Sequence, residues 1–199
     1  PNTNVIAEQP DANTLADLQS GLESLQQKVT ELQSNPDLQN RDRRQEVADV
    51  AVFAKAVEWM LRHNEFPKKG YAKSAARVIE LGQQRVAELT AGKPTWALRQ
   101  GVSIRGYTST VDGSVQPYAL SLPAGVDSES GDRWPLYVKL HGRANDMNEV
   151  DFIHRHEGKP LAEDQTWIQL DVYGRGNNAY RWAGETDVFE AIIDVRRRF

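Results

Sequence analysis

Two stretches in the second half of the chain carry the residue types best suited to chemistry, and each follows an apolar run. His141-Gly142-Arg143-Ala144 comes directly after Leu136-Tyr137-Val138-Lys139-Leu140, and Tyr173-Gly174-Arg175-Gly176 comes directly after residues 167–172. A glycine behind a strand end lets the chain turn sharply and present backbone N–H groups. Such groups can hold the negative oxygen that develops during acyl transfer. The alternative for His141 is a tight turn in which the imidazole bonds to a neighbouring loop. In the second stretch, Arg175 and Arg181 are able either to hold a substrate carboxylate or to pin their loop to acidic neighbours.

Other polar clusters suggest less. His154-x-His156 would aim two imidazoles to one face if it lay on a strand, half of a zinc site, but no third ligand follows at a recognisable spacing. On a helix or loop the pair has no such convergence. Asp187-Val188-Phe189-Glu190 fits a capping box, which assigns Asp187, Glu190 and Asp194 to helix capping and solvation rather than to acid–base work. Arg196-Arg197-Arg198 suit the carboxyl end of that helix. The sequence contains no Gly-x-Ser-x-Gly, no GxGxxG and no GxxxxGK[ST], so it shows neither a nucleophile elbow nor a dinucleotide or P-loop signature.

The elements that must position these residues are two short buried strands, Leu136 to Leu140 and 167–172, then a helix from about Asp187 with Val188, Ile192, Val195 and Phe199 as its apolar stripe. Two such runs joined by a crossover predict strands lying side by side and parallel, with helices over the sheet. Ligands bind such sheets at the carboxyl ends of the strands, where both stretches fall. Upstream, Asp112-Gly113 supplies a turn between alternating runs and predicts a hairpin across 99–123. The loop 124–133 is polar.

The first half is of a different kind. After a polar lead-in over residues 1–13, with Asn13 or Thr14 as the expected cap, Leu15, Leu18, Leu22, Leu25, Val29 and Leu32 form one helical stripe. Asn35-Pro36 ends it. A second helix from near Arg41 and a third from near Tyr71 follow, each with its own apolar face, predicting a small helical bundle. Ten of the 14 glycines and 12 of the 16 aromatic residues lie beyond residue 93. This shift divides the chain into a helical region, 1–92, and a sheet-forming region, 93–199.

With a net charge of −4, no basic field marks nucleic acid as a partner. Cysteine is absent, which excludes disulfides and thiolate catalysis. No apolar run approaches the roughly 18 residues that cross a bilayer, so no membrane span is expected. The start at Pro1 without a methionine is explained by removal of a secretion signal and equally by a recombinant trim; on the first reading a secreted or periplasmic location is the expectation.

Taken together, Tyr107, Asp112-Gly113-Ser114, Gln116-Pro117-Tyr118-Ala119-Leu120, Leu136 to His141-Gly142, Asp171, Tyr173 to Gly176, and Asp187, Ala191 and Asp194 follow one another as in a known family. The stretch 100–199 resembles the start of an α/β-hydrolase catalytic domain, most similar to secreted serine esterases and peptidases of the prolyl oligopeptidase type. The resemblance implies an α/β fold: a helical amino-terminal region followed by the first strands of a mixed, mostly parallel sheet. It implies an oxyanion-hole turn at His141, Gly142, Arg143 and Ala144, with an N–H of Arg143 or Ala144 facing the substrate carbonyl. It also implies a cleft wall at Tyr173, Gly174, Arg175, Gly176 and Tyr180. Serine nucleophile, acid and histidine are expected downstream of Phe199, so no catalytic residue, cofactor or metal is assigned within these residues. The substrate would be an ester or peptide. The competing expectations are a non-catalytic interaction module, self-associating through an exposed sheet edge, and a metal-binding protein using His154 and His156.

Overall fold

The computed structural model describes residues 9–126 and 133–199, so the first eight residues of the lead-in and most of the loop 124–133 lie outside the described residues. Helix α1 spans Ala12–Ser34, α2 Arg41–Arg62 and α3 Tyr71–Thr90. The cap of α1 is Asp11, not Asn13 or Thr14, and its carboxylate accepts from Thr14 N at 2.7 Å. Leu18, Leu22, Leu25, Val29 and Leu32 are all buried, so the stripe packs within the chain. Asn35 and Pro36 stop α1 and open a single 3-10 turn; Asn40 then caps α2, accepting from Arg43 N at 2.9 Å. Val50, Val52, Phe53, Ala56 and Val57 have almost no exposed surface. A helix apolar on nearly every side must lie inside, and α2 is clasped by α1, α3 and the sheet.

Among the described residues four strands follow: β1 Gly101–Thr108, β2 Val115–Leu122, β3 Leu136–Leu140 and β4 Ile168–Val172. Helix α4, Glu149–His156, bridges β3 and β4, and α5 covers Ala183–Arg198. The sheet is open and mixed, in the order β1-β2-β4-β3. Strand β2 pairs antiparallel with both β1 and β4, while β3 and β4 are parallel, Val138 opposite Leu170. Only β2 runs against the others.

Alternation along the strands serves two cores. Val102, Ile104 and Ala119 join the cluster built by α1, α2, α3 and α4. Tyr107, Tyr118, Leu120, Leu122, Ile168, Leu170 and Val172 pack with Ala191 and Val195 of α5. The sheet thus has helices on both faces, the arrangement expected for an α/β protein. The composition shift at 92–95 falls between α3 and β1, and the helical core continues across it into the sheet.

Three expectations need correction. Strand β3 is not buried: Tyr137, Val138 and Leu140 are 58%, 39% and 48% exposed. It is the last strand of the order, and α5 packs over β4 and β1, short of β3. Helix α5 starts at Ala183, so Asp187 is an interior residue and no cap. Finally, Asp194 is not solvated: it is buried and accepts from the Tyr118 hydroxyl at 2.8 Å and from Arg198 Nε at 2.9 Å, while Arg198, in the last turn of α5 as expected, also turns inward to Asp49 of α2.

The two borders of the sheet differ in kind. Along the free side of β1, Val102 N donates to Lys159 O at 3.0 Å and Val102 O accepts from Gly158 N at 2.9 Å. Ile104 N donates to Glu157 Oε2 and Ile104 O accepts from Arg85 Nη1, both at 2.6 Å. Gly106 N donates to Asp49 Oδ1 at 2.8 Å and Gly106 O accepts from Arg198 at 3.2 Å. The outward backbone groups of Val102, Ile104 and Gly106 are all taken, which closes most of that edge to another strand. Gly106 has to be glycine, because a Cβ there would collide with the Ala48 carbonyl.

Candidate functional site

The turn after β3 and the loop after β4 meet at the carboxyl ends of these parallel strands. His141 N donates to the Tyr180 hydroxyl at 2.8 Å, and that hydroxyl donates to Val172 O at 2.9 Å. Burial lifts the Tyr180 phenol to about 12, so it keeps the proton it donates. The His141 ring stacks beside Tyr180 with centroids 5.2 Å apart; its Nδ1 lies 2.8 Å from Gly142 O and its Nε2 2.9 Å from Tyr173 O. Asn177 completes the junction: its Oδ1 accepts from Ala144 N at 2.8 Å and its Nδ2 donates to Ala144 O. With both ring nitrogens against backbone carbonyls, His141 positions two loops and is not placed to act as a base. Both readings of the His-Gly turn are therefore compatible, since the imidazole ties the loops while the backbone beyond it stays open.

Between the two loops lies an open cleft of about 720 Å³. His141, Gly142, Arg143, Gly176 and Tyr180 line it, joined by Asn177, Arg181 and Trp182. Ala144 does not supply a free donor, because its N–H is held by Asn177. The Gly142 and Arg143 N–H groups make no hydrogen bond among the described residues. Tyr173, Gly174 and Arg175 are brought elsewhere. Tyr173 is buried against Phe152, ring centroids 5.3 Å apart. Gly174 lies under the Tyr180 ring, where a side chain would clash.

Arg175 is the pin of the loop. Its Nε donates to Asp187 Oδ2 at 2.9 Å, its Nη1 to Asp112 Oδ2 at 2.5 Å and its Nη2 to Ser109 Oγ at 3.0 Å. Glu190 accepts from Ser109 Oγ and Thr110 N at 2.8 Å each, so the β1–β2 turn is bound to the first half of α5. Hydrogen bonds from Arg175 and Ser114 hold the Asp112 carboxyl well below its ordinary value. Burial pushes Asp187 up, against the pull of Arg175. Asp187 and Glu190 thus do structural work that a helix-capping pattern in the sequence does not reveal.

The same loop concentrates backbone strain. Arg175, Ala179, Tyr180 and Trp182 all have φ between 53° and 60°. Each such non-glycine residue costs on the order of 1 kcal/mol or more, and such clusters persist where surrounding contacts over-determine them, often at binding sites. Gly184, by contrast, is fixed by space: a Cβ would sit 2.7 Å from the Asn178 amide. Asn177, Asn178 and Trp182 were not singled out from the sequence; the only signal was their place after a strand end.

His154 and His156 lie on α4, where residues two apart point about 200° apart around the axis. His156 packs on Phe152 instead, with Nδ1 2.8 Å from Phe152 O. Among the described residues no three His, Asp or Glu side chains converge as a metal site would require. Among them, too, no helix is long and apolar enough to cross a membrane, and no serine or threonine hydroxyl is bonded to a histidine.

Comparison with protein-family models, curated proteins and solved structures found no match to this chain.

Proposed function

We propose that this chain is the amino-terminal part of the catalytic domain of a serine esterase or peptidase of the α/β-hydrolase kind, working by acyl transfer. The observation that carries the proposal is the turn at Gly142 and Arg143. Two backbone N–H groups without partners among the described residues stand at the carboxyl end of β3, on a cleft that a braced second loop completes. In a hydrolase of this kind one oxyanion donor comes from the loop that follows the third strand and leads into a helix. The segment 141–148, which runs from β3 to α4, supports assigning it that role. A carbonyl oxygen gaining charge in the cleft would accept from these N–H groups, and losing one such donor costs about 3 kcal/mol of transition-state stabilisation.

Two further features support the reading. The open, mixed sheet in the order β1-β2-β4-β3, with only β2 reversed and helices on both faces, agrees with the partly parallel sheet this reading expects. The asymmetry of the borders also agrees: β1 is closed by polar partners, whereas β3 leaves Val138 and Leu140 uncovered, as a strand does when the sheet is to continue beyond it. The nucleophile, its acid and its histidine would belong to residues after Phe199, and ester and peptide substrates are both compatible with this half of the cleft.

The test uses two proteins and one probe. Residues 1–199 should fail to hydrolyse p-nitrophenyl esters and should not be labelled by a fluorophosphonate. The product of the uninterrupted coding sequence should be labelled at a serine within a Gly-x-Ser-x-Gly turn after Phe199. Specific labelling of a serine within 1–199, or a longer product lacking that turn, would sink the proposal. A second reading, an interaction module, rests on the same uncovered β3 edge and predicts that residues 1–199 associate through it.

A further inference from the structure

Among the described residues, the cleft that the proposed function uses is lined by two arginines, Arg143 and Arg181, and by no aspartate or glutamate. Both arginines are exposed, and neither forms an ion pair among the described residues; Arg143 spends only its Nε, on Asn145 Oδ1 at 2.9 Å. The structure separates the two arginines of the second loop: Arg175 is consumed by Asp112 and Asp187, whereas the Arg181 guanidinium has no partner among the described residues.

Two other features share the cleft. Helix α5 begins at Ala183, beside Arg181 and Trp182, and its amino end adds the positive pole of a 16-residue helix. Trp182 is 80% exposed and is held at φ 54°, a large apolar ring kept out of any core at a cost in backbone strain. The nearest acid in the first turn of α5, Glu185, is exposed and is not part of the cleft lining. The charged side chains that line the cleft among the described residues are both cationic, and the flat surface on offer is aromatic.

We infer that this cleft binds a carboxylate-bearing ligand with a flat unsaturated body, the carboxylate taken by Arg181 and Arg143 and the body lying on Trp182. Guanidinium groups meet carboxylates in planar, two-point hydrogen bonds, which a neutral amide of the same shape cannot match in charge. The inference rests on the cleft being the substrate site and narrows the substrate class to acids or esters that retain a free carboxylate.

Titration of residues 1–199 with cinnamate, and separately with the neutral isostere cinnamamide, tests it without needing turnover. Cinnamate should shift the amide resonances of Gly142, Arg143, Arg181 and Trp182. It should bind about tenfold more tightly than cinnamamide, the equivalent of one charge-assisted hydrogen bond at a solvated site. Arg181→Gln should bring cinnamate down to the level of cinnamamide and leave cinnamamide unchanged, whereas Trp182→Ala should weaken both. Both residues are exposed, so an unchanged thermal midpoint separates lost binding from lost folding. Equal affinity for acid and amide, no shift at these amides, or insensitivity of cinnamate to both Arg181→Gln and Arg143→Gln would overturn the inference. The first of these leaves the cleft as a binding site, and a missing downstream serine would instead remove the hydrolase reading while leaving carboxylate binding intact.

Discussion

Arg198, in the last turn of α5, grips Asp49 of α2 with both terminal nitrogens, Nη1 at 2.8 Å and Nη2 at 3.0 Å. The two helices cover opposite faces of the sheet, so the pair reaches around the border at β1. Asp49 has no exposed surface and also accepts from Gly106 N at 2.8 Å, Trp96 Nε1 at 3.0 Å and Arg105 Nη1 at 3.2 Å. Replacing it by alanine leaves Arg105 and Arg198 without their shared counter-charge and two N–H donors without an acceptor. The expected loss is about 3–5 kcal/mol, the usual effect of breaking a buried ion pair from one side. Urea unfolding of Asp49→Ala checks it; a midpoint within error of wild type would show that the cluster contributes nothing.

The same cluster sets the response to acid. Burial pushes the Asp49 carboxyl up, but Arg198 and Arg105 outweigh it and the net value is low; for Glu157, burial is likewise outweighed by Arg85 and the Ile104 N–H. A carboxyl held low in the fold takes up its proton more readily when unfolded. Its contribution is therefore present above the unfolded value, about 4, and lost as pH falls through the folded one. Glu149, Asp187 and Asp194 are raised by burial and act with the opposite sign, since protonation in the fold relieves their desolvation. Stability measured by urea should therefore hold or rise slightly on acidification to about pH 4 and fall steeply below. Glu157→Gln should flatten that fall.

Arg175→Ala should loosen one loop without unfolding the sheet. It removes the link between Asp112 and Asp187 and leaves buried Asp187 facing no cation, a cost of about 3 kcal/mol. Amide exchange should accelerate over 109–114 and 173–182, while the amides of β2 and β4 stay protected. Uniform acceleration across the chain would mean that the guanidinium holds the whole fold rather than this loop.

Tyr180→Phe deletes the hydroxyl that accepts from His141 N and donates to Val172 O. The ring and its stacking on His141 remain. Leaving one donor and one acceptor unpaired should cost about 1–3 kcal/mol. The informative readout is local: exchange of the His141 amide should quicken and the Gly142 and Arg143 resonances should move, whereas those of α1 should not.

On the open border, Val138→Lys should leave folding unchanged within about 0.5 kcal/mol, because the side chain is already 39% exposed. If the uncovered β3 edge joins two copies, the substitution should reduce the sedimentation coefficient at high concentration. Equal sedimentation of both proteins would remove the edge as a self-association surface.

Much of this fold is written in local pattern. The leucine spacing of α1, the proline after Asn35, the Asp112-Gly113 turn and the two apolar runs each state their own conformation, because helix periodicity and turn chemistry act over a few residues. The parallel pairing of β3 and β4 was legible too, since a crossover of some 27 residues leaves room for the helix that a parallel connection needs. The place of the candidate cleft followed from the strand ends.

What the sequence left undecided concerned partners far apart in the chain. That Arg175 is a pin while Arg181 forms no ion pair among the described residues, that Asp187 is buried rather than a cap, and that Asp49 meets Arg198 across 149 positions are all facts of assembly. The exposure of β3 belongs with them: its apolar residues promise burial, and only the order of strands and the reach of α5 leave them uncovered. The sequence by itself determined which segments become helix or strand, because those choices depend on neighbours a few residues away. Tertiary structure alone decided which charges neutralise one another and which edge stays open, because a charge or a strand border is satisfied by whatever the fold brings beside it.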